Sequence, residues 1–144
     1  MRNQEIAKLL HHIALLLEMK GESRFKVVAY EEAARRIETW PEAIEEVWSK
    51  GKLREMPGIG ESIATKIGEY LSTGKMKYLE ELTRDIPIEV VELTEIPGVG
   101  PKIAKLLYEE LGIKTVEELE KAIQEKKLRA LPRLGEKSEE KIAR

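Results

Sequence analysis

The residues best suited to chemistry in this 144-residue chain are paired glycines in a repeated setting. Leu53-Arg54-Glu55-Met56-Pro57-Gly58-Ile59-Gly60 runs into Glu61-Ser62-Ile63-Ala64-Thr65-Lys66-Ile67. Leu93-Thr94-Glu95-Ile96-Pro97-Gly98-Val99-Gly100 runs into Pro101-Lys102-Ile103-Ala104-Lys105-Leu106-Leu107, with Pro97 forty positions after Pro57. Pro-Gly-x-Gly between two helical patterns is a tight turn in which glycines accept positive φ. It also leaves bare backbone N–H groups at the start of the next helix. Unpaired N–H groups and the helix dipole together hold an anion there. A DNA phosphate fits, and such a grip reads the backbone rather than the bases. A single turn of this kind is an ordinary bend. Two near-identical copies, each opening an amphipathic helix, favour DNA-binding hairpins, with Gly58, Ile59, Gly60, Gly98, Val99, Gly100 and Lys102 at the contact. Leu131-Pro132-Arg133-Leu134-Gly135 is a degenerate third copy.

A lysine is the second chemical feature. Ile63, Ile67, Tyr70 and Leu71 form the apolar stripe of the helix after the first turn, and Lys66 borders it. Partial shielding there favours an uncharged, nucleophilic amine. The plainer reading is a surface lysine whose stem lies along an apolar face. Lys26 and Tyr30 are four residues apart and share a helix face.

The surrounding elements all read as helix. Ile6, Leu9, Leu10, Ile13, Leu16 and Leu17 mark one face of a first helix, which Gly21 ends. A second helix is expected over 23–38, where Ala29, Ala33 and Ala34 permit close approach of a neighbour. Trp40-Pro41 stops it. A short third helix is expected over 41–48, with Trp40 and Trp48 packing it on the first. No stretch alternates long enough for a strand. The expected fold is all-α, in two small helical units carrying helix-hairpin-helix motifs, 1–78 and 79–144.

Composition narrows the function further. Charged residues make up 36% and the net charge is −2, so contact with DNA must come from local arrangement rather than a global basic field. The charge is chiefly Glu and Lys, as in proteins from hot-growing sources. The absence of cysteine excludes a disulfide scaffold and a thiolate zinc site. No apolar run approaches the roughly 18 residues of a membrane span, and no signal peptide opens the chain. A cytoplasmic, monomeric protein with no membrane contact is expected. Asp85 is the only aspartate, so no Asp-x-Asp pair for two-metal nucleotidyl transfer exists in this stretch. His11 and His12 are adjacent and do not face each other on a helix, and both are expected in solvent. Glu109, Glu110, Glu117, Glu118 and Glu120 read as a solvated face.

The two turns, with Arg24-Phe25-Lys26-Val27-Val28-Ala29-Tyr30 upstream, resemble the amino-terminal region of family X DNA polymerases, similar to DNA polymerase beta and nearest in pattern to bacterial and archaeal members. The resemblance covers nearly the whole chain: residues 1–78 match the family's small lyase-type domain, and 79–144 its DNA-gripping subdomain. It implies a role in gap-filling base excision repair, gapped or nicked DNA with a 5′-phosphate as partner, and a catalytic palm downstream of this fragment. It implies that Lys66 forms a Schiff base with a 5′-deoxyribose phosphate, that Tyr30 lines that pocket, that Lys26 contacts the 5′-phosphate and that Phe25 stacks on a base. It also implies Na⁺ or K⁺ at each hairpin, held by the carbonyls of Arg54, Met56 and Ile59 and of Thr94, Ile96 and Val99. One departure bears on the lyase chemistry. Ser62 stands where lyase members carry a second cation, and Glu61 precedes it. Lyase turnover, recognition of the 5′-phosphate without turnover, and a non-catalytic module that binds DNA structure all remain open at this stage.

Overall fold

The computed structural model describes residues 1–130, all of it helix, turn and loop, with no strand among the described residues. The third glycine-containing copy, from Leu131, lies outside the described residues. Two compact units divide the chain, Met1–Asp85 and from Ile86 onward.

The first unit is built on α1 (Asn3–Met19) and α2 (Arg24–Thr39), which make its most extensive pairing. Ile6, Leu10, Ile13, Leu16 and Leu17 are fully buried along α1 and meet Val27, Ala33, Ala34 and Ile37 of α2. Each valine, leucine or isoleucine among them contributes about 1.5–3 kcal/mol on leaving water. Ala33 and Ala34 allow the close approach expected of them, whereas Ala29 is half-buried. Gly21, at φ 77°, turns the chain after α1. The hydroxyl of Ser23 then accepts from the Lys26 N–H at 3.3 Å and caps α2.

The third helix is shorter than the sequence suggests. α3 spans Ile44–Ser49, not 41–48, because Asn3 captures the segment before it. Asn3 is 3% exposed. Its Nδ2 donates to the Glu42 carbonyl at 2.8 Å, and its Oδ1 accepts from the Ile44 N–H at 2.8 Å. The Trp48 ring leans on Gly68 of α4 (Glu61–Thr73), where an added Cβ would lie 2.9 Å from the indole nitrogen. His11 is exposed, but His12 is buried, against the expectation of two solvated histidines. The α1 stripe is wider than the six aliphatic residues that announced it, and His12 falls inside it beside Asn3, Ala7 and Ala14.

After α4, Gly74 adopts the left-handed conformation and α5 (Lys77–Leu82) packs back on α1. Lys20 and Asp85 close the unit with a 2.6 Å ion pair. The first unit therefore ends at Asp85, seven residues beyond position 78, with α5 whole inside it.

In the second unit, α6 (Ile88–Glu92) precedes α7 (Pro101–Leu111) and α8 (Val116–Gln124), and a 3-10 turn follows at Lys127–Ala130. Val90, Val91, Leu93, Ala104, Leu107, Leu119 and Leu128 form its core. Gly112, at φ 68°, ends α7. Thr115 caps α8 by accepting from the Glu118 N–H at 3.1 Å, and Glu118 reaches back to the Lys114 N–H at 3.3 Å.

Candidate nucleic-acid interface

The two glycine turns are one backbone solution used twice. Each begins with a 3-10 turn, Leu53–Glu55 or Leu93–Glu95, and continues through an extended Met56 or Ile96. The Ile59 N–H donates to the Met56 carbonyl at 3.1 Å, and the Val99 N–H to the Ile96 carbonyl at 3.0 Å. Gly58 (φ 83°) and Gly98 (φ 90°) occupy the left-handed region, which an L side chain resists. Ile59 and Val99 are both 3% exposed and anchor the turns in their cores, so only their backbone can meet a ligand.

The second glycine of each turn differs from the expectation of positive φ. Gly60 (φ −86°, ψ −179°) and Gly100 (φ −87°, ψ 179°) are extended, a conformation any residue adopts. A Cβ at either would meet nothing within 4 Å. Neither the turn nor the packing of the described residues requires glycine there. Both residues are N-caps, of α4 and α7, and neither helix start has a side-chain cap, whereas Ser23 and Thr115 cap α2 and α8. Serine or threonine at these two positions would satisfy the helix's own N–H groups; glycine leaves them facing open space.

Cationic side chains stand around both turns. The Arg36 side chain lies over Gly58, 3.5 Å from where a Cβ would stand. Arg54 pairs with Glu61 at 2.7 Å. Lys102 is exposed and Lys105 half-buried in the first turns of α7, and neither enters an ion pair among the described residues. Phe25 is 88% exposed. With Arg24, Val28, Ala29, Glu32 and Gly58 it lines an open, almost wholly apolar cavity of about 410 Å³, so Phe25 and the first turn belong to one surface.

A second cluster forms around Lys66. Its Nζ donates to the Ser62 hydroxyl at 2.7 Å and lies 4.8 Å from the centre of the Tyr78 ring and 6.0 Å from that of Tyr30. The two rings stack at 6.1 Å with 23° between their planes. Tyr30 is buried, and burial raises its phenol pKa above the ordinary value, opposed by a hydrogen bond with Ser62 and by the Lys26 charge. Lys26 is exposed and stands 3.8 Å from Glu22. Lys66, Tyr30 and the Lys26 charge are thus brought together. The Glu61 carboxylate beside them is turned to Arg54 rather than to Lys66.

Sequence reasoning missed Tyr78, Arg36 and Arg54 as side chains of these sites. Tyr78 arrives through the Gly74 turn and the packing of α5, which no periodicity on α4 announces. Arg36 sits four residues before Trp40 on α2, where it reads as a surface arginine.

A helix-hairpin-helix domain model matches residues 1–76, and a SAM-like helix-hairpin-helix tandem matches 90–144. The DNA polymerase/3′-5′ exonuclease PolX of Bacillus subtilis is 37% identical over 142 residues, 99% of this chain. DNA polymerase lambda of Arabidopsis thaliana is 33% identical over 117 residues, 81% of it. The chain spans 24% and 21% of the length of these two relatives. With a domain model covering more than half of its residues and both glycine turns inside matched segments, the chain belongs to the helix-hairpin-helix family, in the form that family X DNA polymerases carry.

Proposed function

We propose that this chain grips the sugar-phosphate backbone of DNA through its two hairpins, as the DNA-binding part of a gap-filling repair polymerase. The observation that carries the proposal is the uncapped glycine at Gly60 and at Gly100. Each opens a helix of more than two turns, and a Cβ at either meets nothing in the described residues. A phosphate oxygen fits that space and accepts from the free N–H groups. Arg36, Arg54, Lys102 and Lys105 supply the neutralising charge, and Phe25 offers a face to an unpaired base. A monovalent cation, Na⁺ or K⁺, suits the same turns. The Arg54, Met56 and Ile59 carbonyls and the Thr94, Ile96 and Val99 carbonyls are uncharged oxygen donors, and those of Met56 and Ile96 have spent one of two lone pairs. Such an ion would supply positive charge between turn and phosphate.

The Lys66 cluster receives the 5′ end of the gap in this reading. Lys26 and Lys66 offer cations to a terminal phosphate, and the stacked Tyr30 and Tyr78 wall a sugar. A specific observation also favours chemistry at Lys66: the residue is half-buried, with its Nζ held at the Ser62 hydroxyl and over the Tyr78 ring. The free amine would add to the C1′ aldehyde of an abasic 5′-sugar phosphate and expel water as the imine forms. Loss of a C2′ proton would then break the C3′–O bond and free the DNA.

The test is binding at one stated salt concentration to gapped DNA with a 5′-phosphate, gapped DNA without it, and intact duplex. The expected order of affinity is the order given. Equal affinity for all three would leave a generic backbone binder.

A further inference from the structure

The two hairpins share a backbone but not their electrostatics. Position 61, the first residue of α4, is glutamate; its counterpart, the first residue of α7, is Pro101. Position 54 is arginine; its counterpart is Thr94. In the first hairpin these two side chains meet, with Arg54 Nη2 2.7 Å from Glu61 Oε1. A carboxylate in the first turn of a helix is an anion at the positive end of the dipole, where a phosphate would also be favoured. It is held there by an arginine, whose planar fork binds phosphate and carboxylate alike. Arg54 is 60% exposed and Glu61 78% exposed, so the pair is bathed in water and little is lost when it parts.

Resting on the proposed grip of DNA by the hairpins, we propose that Glu61 is a built-in stand-in for phosphate at the first hairpin, and that Arg54 exchanges it for DNA on binding. In the free protein the carboxylate neutralises Arg54 and screens the uncapped start of α4. When a phosphate arrives, Arg54 turns to it and the carboxylate swings into solvent. The second hairpin has no such guard: Pro101 carries no charge, and Lys102 and Lys105 enter no ion pair among the described residues. The first hairpin is therefore the conditional grip, engaged where geometry presents a phosphate well enough to displace Glu61. The second is the standing one.

Trp48 gives the exchange a reporter. It lines one cavity of about 330 Å³ together with Arg54 and Glu61, and the residue is 37% exposed. In the Trp40→Phe background, Trp48 is the remaining tryptophan.

The experiment measures affinity for gapped DNA by fluorescence anisotropy in Glu61→Gln, Arg54→Gln and the double variant. Glu38→Gln, on the α2 side of a different groove lined by Gln4 and His11, is the control for net charge. Glu61→Gln should bind about three- to tenfold tighter and Glu38→Gln within twofold of the parent. Arg54→Gln should bind about three- to tenfold weaker, with a shallower dependence on salt. The double variant should bind like Arg54→Gln, where additive effects would restore about parental affinity, so that the two effects are coupled. Trp48 emission should shift on adding DNA in the parent, and much less in Arg54→Gln. Parental affinity in Glu61→Gln, an equal gain in Glu38→Gln, or parental affinity in Arg54→Gln overturns the exchange. These outcomes are separate from failure of the grip itself, which appears as indifference of DNA binding to changes at Gly60 and Gly100.

Discussion

Replacing Gly60 and Gly100 by serine should move stability and DNA affinity in opposite directions. Both residues are extended and both have free space at the Cβ position, so serine enters without strain or clash. Its hydroxyl can accept from the helix N–H groups as Ser23 does for α2, which favours serine over glycine at an N-cap by a few tenths of a kcal/mol. Loss of a glycine from the unfolded chain adds about 0.4–1 kcal/mol. The same hydroxyl occupies the N–H groups and the space that a phosphate needs. A hydrogen bond to a charged group contributes about 1.5–3 kcal/mol, so each hairpin variant should lose roughly 10- to 150-fold in affinity. Thermal unfolding followed by circular dichroism reads the first effect, and anisotropy with a gapped duplex at fixed salt reads the second. Because the expected signs differ, weakened binding cannot be ascribed to unfolding. If both variants gain stability yet bind within twofold of the parent, phosphate does not sit at these helix starts and the reasoning fails.

Four further outcomes follow from the same geometry. Borohydride should trap a covalent adduct between the chain and an abasic 5′-sugar phosphate, and Lys66→Ala should abolish it; an adduct that survives assigns the amine elsewhere, and no adduct at all leaves recognition without turnover. Asn3→Ala should destabilise the first unit by about 2–4 kcal/mol, because the Glu42 carbonyl and the Ile44 N–H lose their buried partner, and a lowering of Tm by less than a few degrees would contradict it. Phe25→Ala should leave Tm unchanged, given 88% exposure, and weaken binding to gapped DNA by about 1–3 kcal/mol. Burial holds the Tyr30 phenol neutral above the ordinary tyrosine pKa of 10.0, so its contribution is present below pH 10 and is lost as pH rises through its higher folded value; the alkaline decline in Tm should be shallower in Tyr30→Phe.

The repeat made the hairpins legible because glycine and proline constrain backbone directly. Two turns with φ near 83° and 90° follow from Pro-Gly-x-Gly with little help from tertiary structure. Helices α1 and α2 were legible through their apolar spacing. The pattern says less where a distant residue intervenes. Asn3 decides where α3 begins, across 41 residues. His12 is buried because the α1 stripe includes residues that hydropathy does not mark. Trp48 also meets Gly68 of α4, a contact that its position in the sequence did not announce. Tyr78 reaches Lys66 only because α5 folds back on α1, and the same packing carries the first unit past residue 78 to Asp85. Lys66 stood out at the edge of an apolar stripe, the roles of Lys66 and Tyr30 came through a resemblance, and their proximity is a tertiary fact that spacing alone cannot supply. The positive φ expected of all four hairpin glycines was half right, since the rule for turns does not distinguish the turn glycine from the N-cap that follows it.

Two alike turns in consecutive units also bear on how long such a protein would stay on DNA. Once one turn holds a phosphate, the other searches only the volume that the chain itself allows, so its second capture is intramolecular. Two grips of modest strength then give residence beyond either alone, and either can let go without the protein leaving. A chain with a net charge of only −2 has no broad basic field to hold it against salt. Tethered release and recapture would give it persistence without immobility, so that it could shift its footing as the end of a gap moves.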